Sequence, residues 1–343
     1  MRTSELFNEI KKAKFASSVP VIAIVKNEIF FLPAFLDHYR GLGTKHFVFL
    51  DDKSDDGTLE YLTAQDDCTV VASEFSFAQE IDGKKAHFVW RTALPQKYCN
   101  GAWGVHVDAD ELLEIPPGFD DIESFTRALD DRGVTAVGAV MVDFYPTKAL
   151  DLRQQDWPQS KAELLSRYPY FDDCYYGAWA KDGNRFLGTP SGVRHRIMAA
   201  HEITNYARMP TSPIKKLRAR VGKILGSKKE KSFCALSKVP LVKWDKATEH
   251  VGPHKLNRPP ARDILLPLMH FKLTSSLLQK IDFAISSGNY HKQSAEYRSY
   301  RDLLAAMMEE DASFLCSSSR RYSSKNDFLN NRILQFDAAK EHA

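Results

Sequence analysis

Apolar runs of strand length alternate with helical patterns through the first 145 residues, and this alternation is the strongest constraint on the fold. Residues 19–25 (VPVIAIV) form a continuous β-branched run, which is typical of a strand buried on both faces. Apolar residues at helical spacing follow from 29 to 39, and a second apolar run ends on Asp51 and Asp52. Strands and helices that alternate in this way build βαβ units, so we predict an α/β fold with a mostly parallel central sheet flanked by helices.

The chain divides by pattern into four regions. At 343 residues it is long enough for one large domain with insertions or for two closely joined domains. Beyond residue 145 the pattern is less regular, with long loops rich in aromatic residues, glycine and proline, which more often shape a site than fill a core. We predict an N-terminal segment at 1–18 with a short helix, an α/β domain at 19–145, an irregular region at 146–275 and a helical region at 276–343.

Charge, cysteine usage and hydropathy limit the class of protein. The chain has 47 basic and 44 acidic residues, so its small net charge gives no general attraction to polyanions, and we expect no nucleic-acid partner. Its five cysteines are scattered without a C-x-x-C spacing, which suits reduced thiols in a cytoplasmic compartment. No run approaches the roughly 18 apolar residues of a membrane span, and the N-terminus lacks the apolar core of a signal peptide. We expect a cytoplasmic protein that meets a membrane only at its surface, if at all.

The segment 211–232 is the one strongly basic stretch, with eight lysines or arginines against one glutamate. Its apolar residues keep helical spacing, so two interpretations stay open. Residues 214–231 could lie on the anionic inner face of a membrane, where each cation contributes about 1 kcal/mol. They could equally form a solvated helix that packs on its own apolar stripe.

Polar clusters follow the predicted strands at the points where the strands end. They are Lys26, Asn27 and Glu28 after the first strand, Asp51 and Asp52 after the second, and Asp108, Asp110 and Glu111 within a fourth predicted strand at 102–116 (AWGVHVDADELLEIP). In an open α/β sheet, ligands bind outside the carboxyl ends of the strands, so these clusters are expected to converge. Two carboxylates one residue apart supply the oxygen ligands that Mg²⁺ and Mn²⁺ prefer, whereas a chance D-x-D in a solvated loop is the alternative.

Taken in order, these motifs resemble the nucleotide-sugar domain of family 2 glycosyltransferases with the GT-A fold. The matching elements are K-N-E, a helix that ends in L-G, D-D-x-S-x-D-G-T and D-x-D-E, and they resemble the bacterial branch of that family. The match is close over about 19–145 and thinner at 268–272 (LMHFK). The resemblance implies a GT-A type fold with a Rossmann-like sheet, an irregular acceptor-side half that completes the domain, and C-terminal helices.

The resemblance also implies site residues. Nucleotide-sugar contacts are expected from Val25, Asn27, Glu28, Asp51, Asp52 and Asp108, with Asp51 or Asp52 on the base, most often uracil, and Asp108 on the ribose or on the metal through water. The metal would be bound by Asp108, Asp110 and His270. Glu111 is expected to support its neighbours from behind.

The activity implied is metal-dependent, inverting transfer of a hexosyl-type sugar from a nucleotide-diphosphate donor, with UDP favoured over GDP. The acceptor would be a hydroxyl of a glycan or a lipid-linked glycan, as in cell-surface polysaccharide synthesis. Bound Mn²⁺ or Mg²⁺ would act as a Lewis acid on the diphosphate leaving group. Arg91, or Lys84 and Lys85 on the same predicted helix at 79–98, could add a cation beside that diphosphate.

An inverting transferase also needs a general base to take the proton of the acceptor hydroxyl. The E-D pair of many family 2 enzymes is not recognisable here, so the candidates come from the irregular half. They are Asp143, Asp172, Asp173, Glu202 and Glu249. We favour Asp172 or Asp173, because the surrounding tyrosines could stack on a sugar ring; an ordinary acidic loop is the alternative.

Two other functions stay open. A sugar nucleotidyltransferase also uses an α/β sheet and acidic metal ligands, but it normally carries a glycine-rich and basic loop after the first strand. The sequence IVKNEIFF has no glycine, which counts against that function. A non-catalytic nucleotide-sugar-binding protein is the second alternative, and the intact acidic triplet counts against it.

Overall fold

The structure is a computed structural model that describes residues 6–14, 19–154, 156–173, 178–179, 186–187, 192–200, 236–252, 254–287, 291–330 and 333–337. Within these residues the largest element is a nine-stranded sheet. Its strands, in chain order, are β1 (Asn8–Lys11), β2 (Val21–Val25), β3 (Phe47–Asp51), β4 (Cys68–Ala72), β5 (Trp103–His106), β6 (Glu111–Leu113), β7 (Ala136–Asp143), β8 (Ser237–Lys243) and β9 (Leu265–His270).

The sheet is mixed, with six strands running in one direction. Its order is β1-β4-β3-β2-β5-β8-β7-β9-β6. The pairs β4/β3, β3/β2, β2/β5 and β7/β9 are parallel, while β1, β8 and β6 run against their neighbours. The predicted α/β class and mostly parallel sheet are therefore confirmed, and the GT-A type itself stays a prediction.

Helices cover both faces of the sheet. They are α1 (Leu32–Gly41), α2 (Thr58–Thr63), α3 (Ala86–Tyr98), α4 (Ile122–Asp131), α5 (Lys161–Arg167), α6 (Val193–Ala200), α7 (Ser276–Ser287), α8 (His291–Glu309) and α9 (Asn326–Asn330), with a 3-10 turn at Ala149–Arg153. Four short two-stranded ribbons complete the described elements: Glu80–Ile81 with Lys84–Lys85, Tyr170–Asp172 with Ser319–Arg321, Ala178–Trp179 with Phe186–Leu187, and His250–Gly252 with Lys255–Leu256.

The continuous apolar strands bury side chains on both faces, as predicted. In β2, Val21 and Ala23 pack on the side of the sheet that also carries Phe35 of α1. Ile22 points the other way and packs with Trp90 of α3. Because successive strand residues alternate between faces, a run with no polar position requires an apolar layer on each side.

Three predictions about local structure are wrong. Residues 80–85, predicted as the start of a helix at 79–98, form a two-stranded ribbon that precedes α3. The N-terminal segment forms strand β1, antiparallel to the outer edge of β4, rather than a helix. Residues 102–116 form two strands rather than one: β5 lies between β2 and β8, whereas β6 lies at the far edge beside β9. The chain leaves β5 at His106 and turns, with the Glu111 backbone N–H donating to the Asp108 carbonyl at 3.1 Å. That turn carries Asp108 and Asp110 out of the sheet, whereas Glu111 is the first residue of β6 and is buried.

Among the described helices, none combines the length and the apolar composition that crossing a bilayer would require. The basic segment 211–232 lies outside the described residues, so both interpretations of it stay predictions.

Candidate active site

Ionisable side chains from distant parts of the chain meet at one edge of the sheet. The carboxyl ends of the six parallel strands all reach this edge, and the antiparallel β8 and β6 begin there. Those positions carry Glu28 after β2, Asp51 at the end of β3, Asp108 and Asp110 after β5, Asp143 at the end of β7, His270 at the end of β9, Lys238 near the start of β8 and Glu111 at the start of β6. The strand-end convergence expected from sequence is therefore present.

Asp110 and His270 are brought together, and a buried relay holds the histidine. Asp110 Oδ2 lies 3.6 Å from His270 Nε2. His270 Nδ1 donates to Asp143 Oδ1 at 2.6 Å, and Arg194 Nε donates to the other oxygen of Asp143 at 2.7 Å. The turn is tied to β9 as well, because the Phe271 backbone N–H donates to the Asp110 carbonyl. The relay leaves Nε2 as the nitrogen that faces Asp110.

The carboxylates of Asp143 and Asp110 both stay ionised. Burial by itself raises the pKa of Asp143, but Arg194 and His270 lower it by more, so it lies well below the usual range. Burial likewise raises the pKa of Asp110, and His270, Lys280 and Lys272 more than offset that effect. A charged carboxylate beside an imidazole ring is a pair of groups that can bind a divalent cation when the imidazole is neutral.

Two of the three predicted metal ligands, Asp110 and His270, lie together, and the metal site itself stays a prediction. Asp110 and His270 would supply one carboxylate and one imidazole, and Asp143 is the hydrogen-bond partner that a metal-binding histidine usually has. Asp108 is not joined to them: within the described part of the chain, no group of three or more His, Cys, Asp or Glu side chains is arranged around a metal position. A divalent ion held by one or two carboxylates or imidazoles is normally completed by phosphate oxygens and water.

Asp108 is instead held between two cations. Arg91 Nη2 donates to Asp108 Oδ1 at 3.0 Å, and Lys238 Nζ donates to Oδ2 at 2.9 Å. Burial raises the pKa of Asp108, but the charges of Arg91 and Lys238 lower it by more. The pKa of Asp108 therefore lies well below its usual value. Arg91, predicted to lie beside a diphosphate, is therefore engaged by Asp108, whose carboxylate remains about one third exposed.

Glu111 supports the turn from behind, as predicted. It accepts the Asp108 backbone N–H at 2.8 Å, and Lys238 Nζ donates to the same carboxylate at 2.5 Å. Lys238 thus bridges Asp108 and Glu111 from a strand about 130 residues away, and its side chain is only 3% exposed. The sequence analysis missed Lys238; the only indication was a lysine inside the apolar run of β8, where a charge needs a buried partner.

The K-N-E loop and the D-D-x-S-x-D-G-T loop are locked to each other. Asn27 adopts a left-handed backbone with φ 55°. Its Nδ2 donates to Asp55 Oδ1 at 2.7 Å, and its Oδ1 accepts the Asp55 backbone N–H at 2.9 Å. The Glu28 backbone N–H donates to Thr58 Oγ1 at 2.9 Å. Asn27 therefore shapes the loop pair with its whole carboxamide, and its predicted contact with a nucleotide sugar stays untested.

Asp51 and Asp52 are buried behind these loops, each with one oxygen satisfied. Asp51 Oδ2 accepts the Ser54 backbone N–H at 3.1 Å, and Asp52 Oδ2 accepts the Phe77 backbone N–H at 3.2 Å. The two Oδ1 atoms find no donor among the described residues. A buried acceptor without a donor is unfavourable, so each of these two atoms lacks a hydrogen bond that burial makes costly to lose.

Glu28 forms an ion pair that the sequence analysis did not anticipate. Lys280 Nζ of α7 donates to both Glu28 oxygens at 2.8 Å. Burial raises the pKa of Glu28 to about 7, despite the opposing charge of Lys280. The pair joins the loop after β2 to a helix 252 residues further along the chain, a separation at which no local pattern could have predicted it.

The two favoured base candidates differ in accessibility. Asp172 is buried, accepts from Tyr145 Oη, and receives both Nε (3.1 Å) and Nη2 (3.0 Å) of Arg196. Asp173 pairs with Arg320 at 3.3 Å, and its side chain is 28% exposed. Asp173 is therefore the carboxylate that an acceptor can reach more easily. The role of general base stays a prediction for both residues, and Glu202 lies outside the described residues.

A buried histidine behind Asp108 gives a testable pH dependence. His106 is 2% exposed, its ring lies 5.2 Å from that of His250, and neither ring nitrogen finds a partner among the described residues. Burial, with the nearby charges, lowers the pKa of His106 well below its usual value. The folded chain therefore keeps His106 neutral, whereas the unfolded chain binds a proton below about pH 6.5, so the free energy of unfolding falls as the pH drops through that value.

Replacing His106 by phenylalanine keeps the ring contact and removes this proton. We expect the slope of unfolding free energy against pH, below about pH 6.5, to decrease by about 1.4 kcal/mol per pH unit. Urea denaturation of both proteins at a series of pH values from neutral to mildly acidic measures the slope. An unchanged slope would mean that His106 already binds a proton in the folded state.

Comparisons with known proteins provide only partial, low-scoring structural matches. No family model matches the chain, and no curated protein matches it. TarS of S. aureus matches 36% of this chain and 21% of its own, at 18% identity and a TM-score of 0.26. A "putative nucleotide-diphospho-sugar transferase" of Desulfovibrio desulfuricans G20 matches 37% of this chain and 59% of its own, at 16% identity and a TM-score of 0.22. The chain thus spans less than two thirds of either protein, and superpositions this partial assign no function to it.

Proposed function

We propose that this protein is a metal-dependent, inverting glycosyltransferase that uses a nucleotide-diphosphate sugar, with UDP as the favoured carrier. The observation that carries the proposal is the pairing of Asp110 with a His270 whose Nδ1 is fixed by Asp143 and Arg194. This pair lies at the same sheet edge as the loops that hold Asp51 and Asp52. In open α/β sheets, that edge is where nucleotide ligands bind.

The donor base would bind over β2 and β3. The unpartnered Oδ1 atoms of Asp51 and Asp52 are acceptors, and the imide N–H of uracil is a matching donor. Val25 and Glu28 would border the nucleoside, and the part-exposed carboxylate of Asp108 would accept from a ribose hydroxyl. Arg91 and Lys238 keep that carboxylate ionised and oriented for this contact.

Asp110 and His270 would hold the Mn²⁺ or Mg²⁺. When bound, the ion would neutralise charge on the departing diphosphate. The protein's own contribution is orientation: Asp143 fixes the tautomer of His270, and Arg194 keeps Asp143 ionised. The backbone hydrogen bond from Phe271 keeps Asp110 in register with His270.

On the acceptor side, a carboxylate would take the proton of the attacking hydroxyl as that oxygen bonds to the anomeric carbon and the diphosphate leaves. Asp173 is the more accessible of the two candidates, because Arg196 and Tyr145 occupy both oxygens of Asp172. The acceptor would be a glycan or a lipid-linked glycan. Residues 214–231 would serve the second kind of acceptor by contacting an anionic membrane.

A binding and turnover panel tests this function. We expect UDP to bind in calorimetry only weakly without Mn²⁺ and at least about tenfold more tightly with it, a difference of about 1.4 kcal/mol. UDP-sugars should then be hydrolysed slowly in a Mn²⁺-dependent reaction. Release of pyrophosphate from UTP and a sugar phosphate would instead identify a nucleotidyltransferase, and binding without turnover a non-catalytic protein. No metal-dependent binding of UDP, GDP or CMP sugars would refute the proposal.

A further inference from the structure

Helix α7 carries a lysine to the edge of the sheet where the candidate site lies. Leu277, Ile281 and Ala284 anchor the helix in the core. Lys280 Nζ lies 5.0 Å from the centre of the Phe31 ring, and it donates to both oxygens of Glu28. The side chain of Lys280 remains 23% exposed.

A second lysine approaches the same place from the end of β9. Lys272 follows His270 by two residues, and its Nζ lies 3.3 Å from Tyr297 Oη and 5.0 Å from the centre of the Tyr297 ring. Lys272 thus lies at the His270 end of β9, and Lys280 is paired with Glu28, which follows β2 at the same edge of the sheet.

Arg91 and Lys238, two other cations at this sheet edge, pair with carboxylates of the acidic turn. Arg91 contacts Asp108, and Lys238 contacts Asp108 and Glu111. Lys280, in contrast, pairs with a carboxylate whose charged form is disfavoured by burial, so the pair is less stable than its short distances suggest. An incoming dianionic group would offer Lys280 a stronger partner than Glu28 does.

We propose that Lys280, with Lys272, binds the diphosphate of the donor, and that Glu28 holds the Lys280 side chain in position until the donor arrives. This inference rests on the proposed function, because it assumes a nucleotide-diphosphate ligand. In this assignment the cation that contacts the diphosphate comes from the C-terminal part of the chain, and not from Arg91, Lys84 or Lys85. A lysine that is already oriented loses little side-chain freedom on binding, which favours tight capture of the phosphates.

Calorimetry with uridine and UDP isolates the diphosphate contact. The quantity measured is the ratio of the uridine Kd to the UDP Kd, both in Mn²⁺, because effects on the nucleoside cancel in it. We expect Lys280→Met to lower this ratio by about 10- to 100-fold, the value of one charge-assisted hydrogen bond. Lys246→Met, at an exposed lysine beyond the opposite end of β8, should leave the ratio unchanged.

The Glu28→Gln background separates binding from a structural effect. Lys280→Met alone leaves the Glu28 carboxylate without its partner, whereas Glu28→Gln/Lys280→Met leaves no unpaired charge. If Lys280 binds phosphate, the double variant keeps a ratio about tenfold or more below that of Glu28→Gln. A double variant whose ratio equals that of Glu28→Gln would overturn the inference and leave Lys280 with a structural role.

Failure of this inference and failure of the proposed function give different results. If the wild-type protein binds neither uridine nor UDP in Mn²⁺, the proposed function fails and the inference fails with it. If the wild-type protein binds UDP more tightly than uridine, and Lys280→Met keeps that preference in full, only the inference about Lys280 is refuted.

Discussion

Asp110→Asn is expected to reduce Mn²⁺-dependent UDP-sugar turnover by about 1,000-fold or more, because it removes the negative charge from one of the two proposed metal ligands. Asparagine has nearly the same shape, and the backbone hydrogen bond from Phe271 to the carbonyl of residue 110 does not depend on the side chain. The fold should therefore survive. The measurement is kcat/KM for donor hydrolysis across a Mn²⁺ titration, with circular dichroism to verify folding.

The matched control is Asp120→Asn, which removes the same charge at an exposed position after β6. It should leave both turnover and the Mn²⁺ dependence as in the wild-type protein. Calorimetry adds a readout that does not depend on catalysis: Asp110→Asn should also abolish the gain in UDP affinity that Mn²⁺ provides. A folded Asp110→Asn protein with full turnover and unchanged Mn²⁺ dependence would remove Asp110 from the site.

Lys238→Met is expected to lower the free energy of unfolding by about 3–5 kcal/mol, the usual effect of removing one partner from a buried ion pair. Lys238 is 3% exposed and its ammonium contacts both Asp108 and Glu111. Glu111 is 1% exposed and would be left as a buried carboxylate without a cation, while Asp108 would retain Arg91. Urea denaturation at neutral pH measures the loss.

A second substitution tests whether that loss comes from uncompensated charge. Adding Glu111→Gln to Lys238→Met removes the buried negative charge and should restore about 1–2 kcal/mol, while the hydrogen bond to the Asp108 backbone can persist. Lys246→Met, at an exposed position, should change stability by less than about 0.5 kcal/mol. A Lys238→Met protein as stable as the wild type would show that Glu111 is protonated in the folded state.

The first half of the fold could be predicted from sequence because its determinants are local. A β-branched run without polar positions, as in β2, is compatible only with a strand covered on both sides, and alternation with helices requires parallel neighbours. Parallel strands bring their carboxyl ends to one edge. The meeting of Glu28, Asp51 and Asp108 at a single edge therefore follows from the pattern alone.

The same local pattern failed where two elements share one apolar run. Residues 102–116 are apolar on both sides of the acidic triplet, so nothing in the pattern indicates that β5 and β6 lie on opposite sides of β8, β7 and β9. The position of β6 is set by its backbone hydrogen bonds to β9, a pairing that places Glu111 opposite His270. The pairing thereby brings the acidic turn next to the histidine.

Sequence by itself determined which residues reach the site edge after the first predicted strands, and the family resemblance added His270 as the expected partner of Asp108 and Asp110. Only the tertiary structure decided their partners: Lys238 for Asp108 and Glu111, Lys280 for Glu28, and Arg194 with Asp143 for His270. These contacts join residues from about 50 to 250 positions apart. A buried charge needs a counter-charge nearby in space, but that counter-charge can come from any position in the chain. The spacing of residues in the sequence therefore does not predict which residue supplies the counter-charge.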